Sequence, residues 1–162
     1  MRLITLATLA VLASAGTAAA APASVSVALA PDLQKKFTKT YGQREADMLT
    51  ADLKQTVERA LAKRGAHDGA RIDLTLTDAV PNRPTFKELG DKPGLSMESH
   101  GIGGAAIKGR IVDADGAVTP VDYHWYETDI RQVRGYWTWS DAEWVFDRFA
   151  SRLAKGEEVA RR

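Results

Sequence analysis

A long amphipathic helix flanked by two alternating segments constrains the fold of this chain most. Apolar side chains recur over residues 45–64 with the helical period of about 3.6 residues, and they form one stripe: Leu49, Leu53, Val57, Ala60 and Leu61. Gly65 follows the last turn, where a left-handed residue commonly ends a helix. Residues 24–30 and 71–77 alternate apolar with small or polar side chains, which is the period of a half-buried strand. The order strand, helix, strand predicts a β-α-β unit, whose strands are parallel if they share a sheet.

The second half of the chain predicts a β-hairpin and a final helix. Asp115–Gly116 predicts a two-residue turn between two alternating segments, because glycine tolerates the positive φ that the turn needs. Ser140 and Glu143 have the spacing of a capping box, and a helical apolar stripe follows as far as Leu153. We therefore predict an α+β fold with a sheet of about four strands, built from the β-α-β unit and then the hairpin. Two main helices would pack on one face of this sheet.

The N-terminus has the pattern of an export signal. Arg2 precedes an apolar stretch over residues 3–13, and small residues lead up to Ala20, as signal peptidase requires. An uncleaved membrane anchor is the alternative, but alanine, serine and threonine follow Leu12 and insert weakly, and Pro22 interrupts the stretch. Cleavage after Ala20 would leave a periplasmic or secreted protein without a membrane span.

The expected organisation is a signal peptide over residues 1–20, a single α+β domain over 21–156 and a charged, frayed tail over 157–162. Between the predicted strands, residues 78–103 have little periodicity and form an unusually long connection. Such a connection is typically functional or disordered, although a surface loop with a short helix near residues 85–89 also explains it. Internal repeats are not visible in the sequence.

Composition excludes several function classes. The chain has no Cys, which rules out disulfides, Cys-ligated zinc, iron–sulfur clusters, thiol catalysis and a lipidated N-terminal Cys. Without Arg2, Lys and Arg number 21 and balance 21 Asp and Glu. A nucleic-acid-binding domain usually carries a basic total and a basic face, so nucleic acid is not a predicted partner.

An aromatic block is the most unusual feature of the sequence. All four Trp lie between residues 125 and 144, with Tyr and Arg side chains interleaved. Aromatic rings beside Arg can recognise a partner by stacking, cation–π contact and hydrogen bonding. The alternative is that these rings form the core where the last helix meets the sheet. We predict a binding surface composed of Trp125, Tyr126, Arg131, Arg134, Trp137 and Trp139.

Candidate catalytic and metal-binding groups are sparse. On a strand, His124 would share a face with Asp122, whose carboxylate could orient the imidazole, but no nucleophile accompanies them. Asp113 and Asp115 resemble the opening of a calcium loop, yet the twelfth position holds His124 instead of Glu, so a hairpin turn explains them better. We predict no metal and no cofactor, and a non-enzymatic protein is favoured.

The order of elements resembles a known group of proteins. The segments VSVALAPD, IDLTLTDA and WTWSDAEW, in this order after an export signal, are similar to small proteobacterial exported domains of unknown function. The resemblance covers most of residues 24–153, and LTDA at residues 76–79 is its best local match. It implies a compartment and a fold, and it carries over no functional residues.

Taken together, these patterns predict an exported, periplasmic accessory or interaction protein without enzymatic activity. Its contact surface would combine residues 125–139 with the Pro- and Gly-rich segment 81–103, and its partner would be an envelope protein. One alternative is a module that binds a glycan or an aromatic small ligand on the same rings. A second alternative is a hydrolase that uses His124 with Asp122. The sequence leaves the oligomeric state open.

Overall fold

The structure is a computed structural model, and it describes residues 21–133 and 136–160. The predicted signal peptide, Arg134 and the last two residues of the tail lie outside the described residues. Four strands form one sheet in the order β1-β2-β3-β4. Their bounds are β1 Ser24–Leu29, β2 Arg71–Val80, β3 Gly104–Val112 and β4 Val118–Tyr126. The helices are α1 Pro31–Lys36, α2 Gln43–Arg64, α3 Phe86–Asp91 and α4 Ser140–Ala154, with a π-helical turn at Phe37–Tyr41 and a 3₁₀ turn at Ile130–Gln132.

The predicted β-α-β unit is confirmed. Strand β1 pairs in parallel with β2, and α2 connects the two through the π-helical turn. The apolar stripe of α2 is buried except for Ala60, which is half-buried. Gly65 ends the helix in the left-handed conformation, with φ of 61°. The helix begins two residues earlier than predicted, at Gln43.

The predicted hairpin is confirmed as well. Strands β3 and β4 pair antiparallel along their whole length, from Gly104 opposite Tyr126 to Val112 opposite Val118. Gly116 has φ of 88°, and the Asp113 amide donates to the Ala117 carbonyl at 2.9 Å. The Asp-x-Asp-Gly segment is therefore part of a hairpin turn, but the predicted two-residue turn is wrong, because residues 113–117 connect the strands and Asp115 does not have a positive φ.

The core lies between one face of the sheet and the two long helices. Leu76, Ile107 and Tyr123 are cross-strand neighbours on this face, and each is at least nine-tenths buried. Helix α2 packs on β1, and α4 packs on β3 and β4. The opposite face carries polar and charged side chains, such as Asp73 beside Arg110 at 3.2 Å. This arrangement confirms the predicted α+β sheet with two main helices on one face.

A β-bulge in β2 keeps the core face apolar. The pairing with β3 shifts between Leu76 and Asp78, so Thr77 is an extra residue. Leu76 and Ala79 are both fully buried, although three positions separate them. Asp78 turns to the open face, where its carboxylate accepts a hydrogen bond from the Tyr126 hydroxyl at 2.8 Å. The LTDA segment is thus the site of this irregularity.

The apolar stripe of α4 is confirmed, but its predicted capping box is wrong. Ser140 is the first helical residue, and Trp139 occupies the capping position without a side-chain hydrogen bond to the helix. The Ser140 hydroxyl instead accepts a hydrogen bond from the Trp137 amide at 2.8 Å, because the chain turns sharply just before the helix. A capping box does form at the start of α3, between Thr85 and Glu88.

The described part of the C-terminal tail lies against β4. The Asp122 amide donates to the Val159 carbonyl at 3.0 Å, and the Val159 side chain is buried. The prediction of a frayed tail is therefore wrong for residues 157–160. Among the described helices, none combines the length and apolar character that crossing a membrane requires.

Candidate functional site

Two loops meet beyond one end of the sheet. The first covers residues 81–103 between β2 and β3, and the second covers residues 127–139 between β4 and α4. The Asn82 amide donates to the Thr138 carbonyl at 2.7 Å, and the Glu127 amide donates to the Gly103 carbonyl at 3.0 Å. The segments that the sequence proposed as one contact surface are thus neighbours, and backbone hydrogen bonds join them.

A buried polar cluster holds both loops on α4. The Asp141 carboxylate is fully buried and accepts from the Asn82 side-chain amide at 2.5 Å and from the Gly103 backbone amide at 3.1 Å. In return, the Asp141 backbone amide donates to the Asn82 side-chain oxygen at 2.8 Å. A Cβ atom at Gly103 would lie 2.7 Å from this same oxygen, so the cluster requires glycine there. The base of the site is consequently fixed by groups that satisfy one another.

Exposed apolar side chains are concentrated on these two loops. Of the eight large hydrophobic residues that are exposed in the described ranges, only Met48 and Val118 lie elsewhere. Trp137 is 73% exposed and Tyr136 is 85% exposed. The others on the loops are Phe86, Met97, Ile102 and Ile130. Single exposed apolar residues are ordinary on a protein surface, but several at one end of a domain indicate an interaction site.

A groove of about 440 Å³ separates the two loops. Its walls combine apolar and hydrogen-bonding side chains: Arg83, His100, Ile130, Arg131, Val133 and Tyr136. A second cavity of about 270 Å³ lies within the first loop and shares Arg83 and His100 with the groove. Both guanidinium groups have fixed neighbours. Arg83 donates to the Met97 carbonyl, and Arg131 forms a two-point ion pair with Asp129 at 2.7 and 3.0 Å.

Trp139 is part of the core and not of this surface. Its side chain is 1% exposed and packs against the rings of Tyr41 and Phe37, with centroids 5.4 and 5.8 Å away. Its indole N–H donates to Glu45 at 2.6 Å. The structure therefore removes Trp139 from the predicted binding set, because the ring fills the space between α2 and the π-helical turn.

Trp125 and Tyr126 point to opposite faces of β4, as neighbours on a strand must. Trp125 is half-buried on the helix side, where its ring lies 4.4 Å from that of Trp144. Tyr126 lies on the open face and donates to Asp78. Burial and this carboxylate raise the pKa of the Tyr126 hydroxyl well above its usual value. These two residues contact the rest of the domain and do not extend the loop surface.

Of the predicted set, Trp137 and Arg131 remain at the exposed end of the molecule, and Arg134 lies outside the described residues. Only Arg131 of the predicted set lines the groove, and the set omitted its other five lining residues: Arg83, His100, Ile130, Val133 and Tyr136. The unusual length of segment 78–103 did mark the loop that carries two of them. No local pattern indicates which side chains of two distant loops share a groove.

The pair His124 and Asp122 is not assembled. Asp122 pairs with Lys108 across the hairpin at 3.2 Å, and the exposed His124 lies opposite Ala106. Within the described ranges no hydrogen bond joins the imidazole to that carboxylate, so the hydrolase alternative receives no support from the geometry. The same ranges contain no group of three side chains that could hold a metal ion.

Comparison with known proteins does not assign the chain to a family. No protein-family model matches the chain, and no curated protein is significantly similar to it.

Proposed function

We propose that this chain is an exported, periplasmic interaction protein that binds an envelope protein through its two-loop surface. The observation that carries this proposal is the concentration of exposed apolar side chains on two loops that meet at one end of the sheet and that the Asp141 cluster holds on α4. The predicted export signal over residues 1–20 supports the compartment.

The physical argument concerns where binding energy concentrates. Large aromatic side chains contribute most at interfaces when they are held rigidly and become fully covered by the partner. The Trp137 backbone amide is fixed by the Ser140 hydroxyl, and its neighbour Trp139 is anchored in the core. The Trp137 backbone is thus held in place while its ring remains exposed.

A glycan is the second candidate ligand. Tyr136 is exposed at the groove, and Arg131 lines the same groove with the guanidinium N–H groups that Asp129 leaves available. Sugar rings stack on such aromatic side chains while their hydroxyls accept hydrogen bonds from arginine. An aromatic ring next to donors therefore supports this candidate as well.

Affinity capture from crosslinked cell envelopes tests the leading proposal. We expect Trp137→Ala to reduce recovery of the wild-type partner by at least about tenfold, with an unchanged unfolding transition. Val118→Ala removes a side chain that is also exposed, at 61%, but lies on the hairpin, so it serves as the matched control.

Trp139→Ala should instead unfold the domain, since it removes a buried ring. Full recovery of the partner by Trp137→Ala would contradict the proposed surface. Trp fluorescence titrations with envelope glycans separate the second candidate from the first. N-terminal sequencing of the periplasmic protein tests cleavage after Ala20.

A further inference from the structure

The two edge strands of the sheet, β1 and β4, differ in how far they are protected from pairing with a further strand. At the outer edge of β4, the tail pairs with Asp122 through Val159, and Ala160 forms a bridge beside it. Pro120 also lies on this strand and lacks the N–H that a further strand would need. Natural sheets commonly cover or interrupt their edges in this way, which prevents pairing with other chains.

The outer edge of β1 has neither protection. The Ser24 amide donates to the Ala70 carbonyl, just before β2, at 3.4 Å, and the Ala30 amide donates to the Leu76 carbonyl at 3.0 Å, so the even-numbered residues of β1 face β2. The alternate residues Val25, Val27 and Leu29 direct their N–H and C=O groups outward. No other strand of the described residues pairs with this side of β1.

The side chains of β1 also favour pairing. No charged residue occurs between positions 21 and 31, and no proline lies within the strand. Val27 and Leu29 are half-buried at the margin of the core, and Ser24, Ser26 and Ala28 alternate with them on the open face. An uncharged and uninterrupted edge of six residues is a template for an added strand.

The position of α2 excludes a second copy of this chain as the added strand. Neighbouring strands lie about 4.8 Å apart, whereas packed helices need about 8–10 Å between their axes. Helix α2 packs on β1 itself, and α4 packs two strands away. Pairing β1 with β1 of another copy would bring two α2 helices closer together than their side chains allow. A single extended segment has no such obstacle.

We propose that the β1 edge binds an extended, uncharged segment of a partner protein, which adds to the sheet as a fifth strand. Its side chains facing α2 would be aliphatic and would cover Val27 and Leu29. Its side chains beside Ser26 and Ala28 would be small or hydroxyl-bearing. This surface is separate from the two-loop site and does not depend on it.

Amide hydrogen exchange of the purified protein tests this proposal. In the free protein, we expect slow exchange at Ser26 and Ala28 and fast exchange at Val25, Val27 and Leu29. The probe is a synthetic peptide with the sequence Thr-Val-Thr-Val-Thr-Leu between flanking lysines. It should slow exchange at the three outward amides by at least about tenfold. The same peptide with N-methylated backbone amides is the control and should have no effect.

Two test variants and one folding control make the test independent of any one substitution. Val27→Pro removes an outward N–H and spares the ladder to β2, whereas Ser26→Pro removes an inward N–H and should unfold β1. Ala28→Lys adds a charge on the exposed open face of the edge, where the paired residue of β2 is the uncharged Thr75.

We expect Val27→Pro and Ala28→Lys to weaken peptide binding by at least about tenfold. Absence of protection in the wild type, or binding that both variants retain, would overturn the proposal. Self-association of the wild type in sedimentation experiments that Val27→Pro abolishes would also overturn it, because the occupant would then be a second copy.

Discussion

Replacing Asp141 by alanine should destabilise the whole domain and loosen both loops. The Asp141 carboxylate is the acceptor for the Gly103 amide and for the Asn82 side chain, at 3.1 and 2.5 Å. All of this lies in the interior, since Asp141 and Asn82 are no more than 1% exposed. In Asp141→Ala the Gly103 N–H and one N–H of the Asn82 side chain lose this acceptor, and the Asn82 amide nitrogen keeps only its hydrogen bond to the Gly101 carbonyl at 3.2 Å.

The expected magnitude follows from these two donors. A buried donor without a partner costs about 1–3 kcal/mol, so Asp141→Ala should lower the free energy of unfolding by about 2–6 kcal/mol. The backbone hydrogen bond from residue 141 to Asn82 persists in the variant, which keeps the effect within this range. Because the carboxylate and Asn82 act on each other, the double variant with Asn82→Ala should cost less than the two single variants together.

Urea denaturation followed by Trp fluorescence measures this effect. Glu143→Ala is the control for charge, because Glu143 lies in the same first turn of α4 and its half-buried carboxylate, beside Asp52 and Asp147, makes no hydrogen bond within the described residues. Like Asp141→Ala, Glu143→Ala removes one negative charge from the N-terminus of α4. If Asp141→Ala and Glu143→Ala change the free energy of unfolding equally, the helix dipole and not the buried cluster explains the stability. A change below about 0.5 kcal/mol in Asp141→Ala would refute the reasoning altogether.

Two further substitutions probe the rest of the fold. Burial raises the pKa of Asp52, with a further contribution from Asp147, so folding favours its protonated form. The contribution of protonated Asp52 to the free energy of unfolding is present at low pH and is lost as the pH rises through the pKa of Asp52 in the folded protein. Asp52→Asn should therefore raise the free energy of unfolding at pH 7 by about 0.5 kcal/mol, discounted for solvent screening, and the gain should vanish below about pH 4. Gly109→Ala would place a Cβ atom 2.2 Å from the Asp73 carbonyl and should lower the melting temperature sharply, whereas Gly90→Ala meets no atom within 4 Å and should leave it unchanged.

The fold could be predicted where its pattern is local. The apolar stripes of α2 and α4 and the turn at Gly116 were evident because period and turn chemistry depend on neighbouring residues. Strand β2 continues to Val80, three residues beyond the predicted end at residue 77. The bulge at Thr77 interrupts the alternation, and a simple period-two pattern cannot continue through it.

The candidate site was predictable only in part, because it depends on distant contacts. Trp139 and its partner Glu45 are 94 positions apart, and nothing near either residue indicates their hydrogen bond. Trp137 and Trp139 have the same residue type and differ by two positions, yet one is exposed and the other buried. The turn before α4 separates them, and its geometry depends on the Ser140 hydroxyl, which the predicted capping box had assigned to the helix.

The bulge at Thr77 has a consequence for how the protein can change through insertions and deletions. Deletion of Thr77 would restore regular alternation, with Leu76 and Ala79 still directed to the core and Asp78 still on the open face. A bulge also increases the local twist, so its loss would redirect the chain that leaves β2 toward Asn82. The first loop would then leave the sheet at a different angle while the sheet kept its pairing. A one-residue length change at this position therefore offers a way to remodel the groove between the loops without altering the composition of the core.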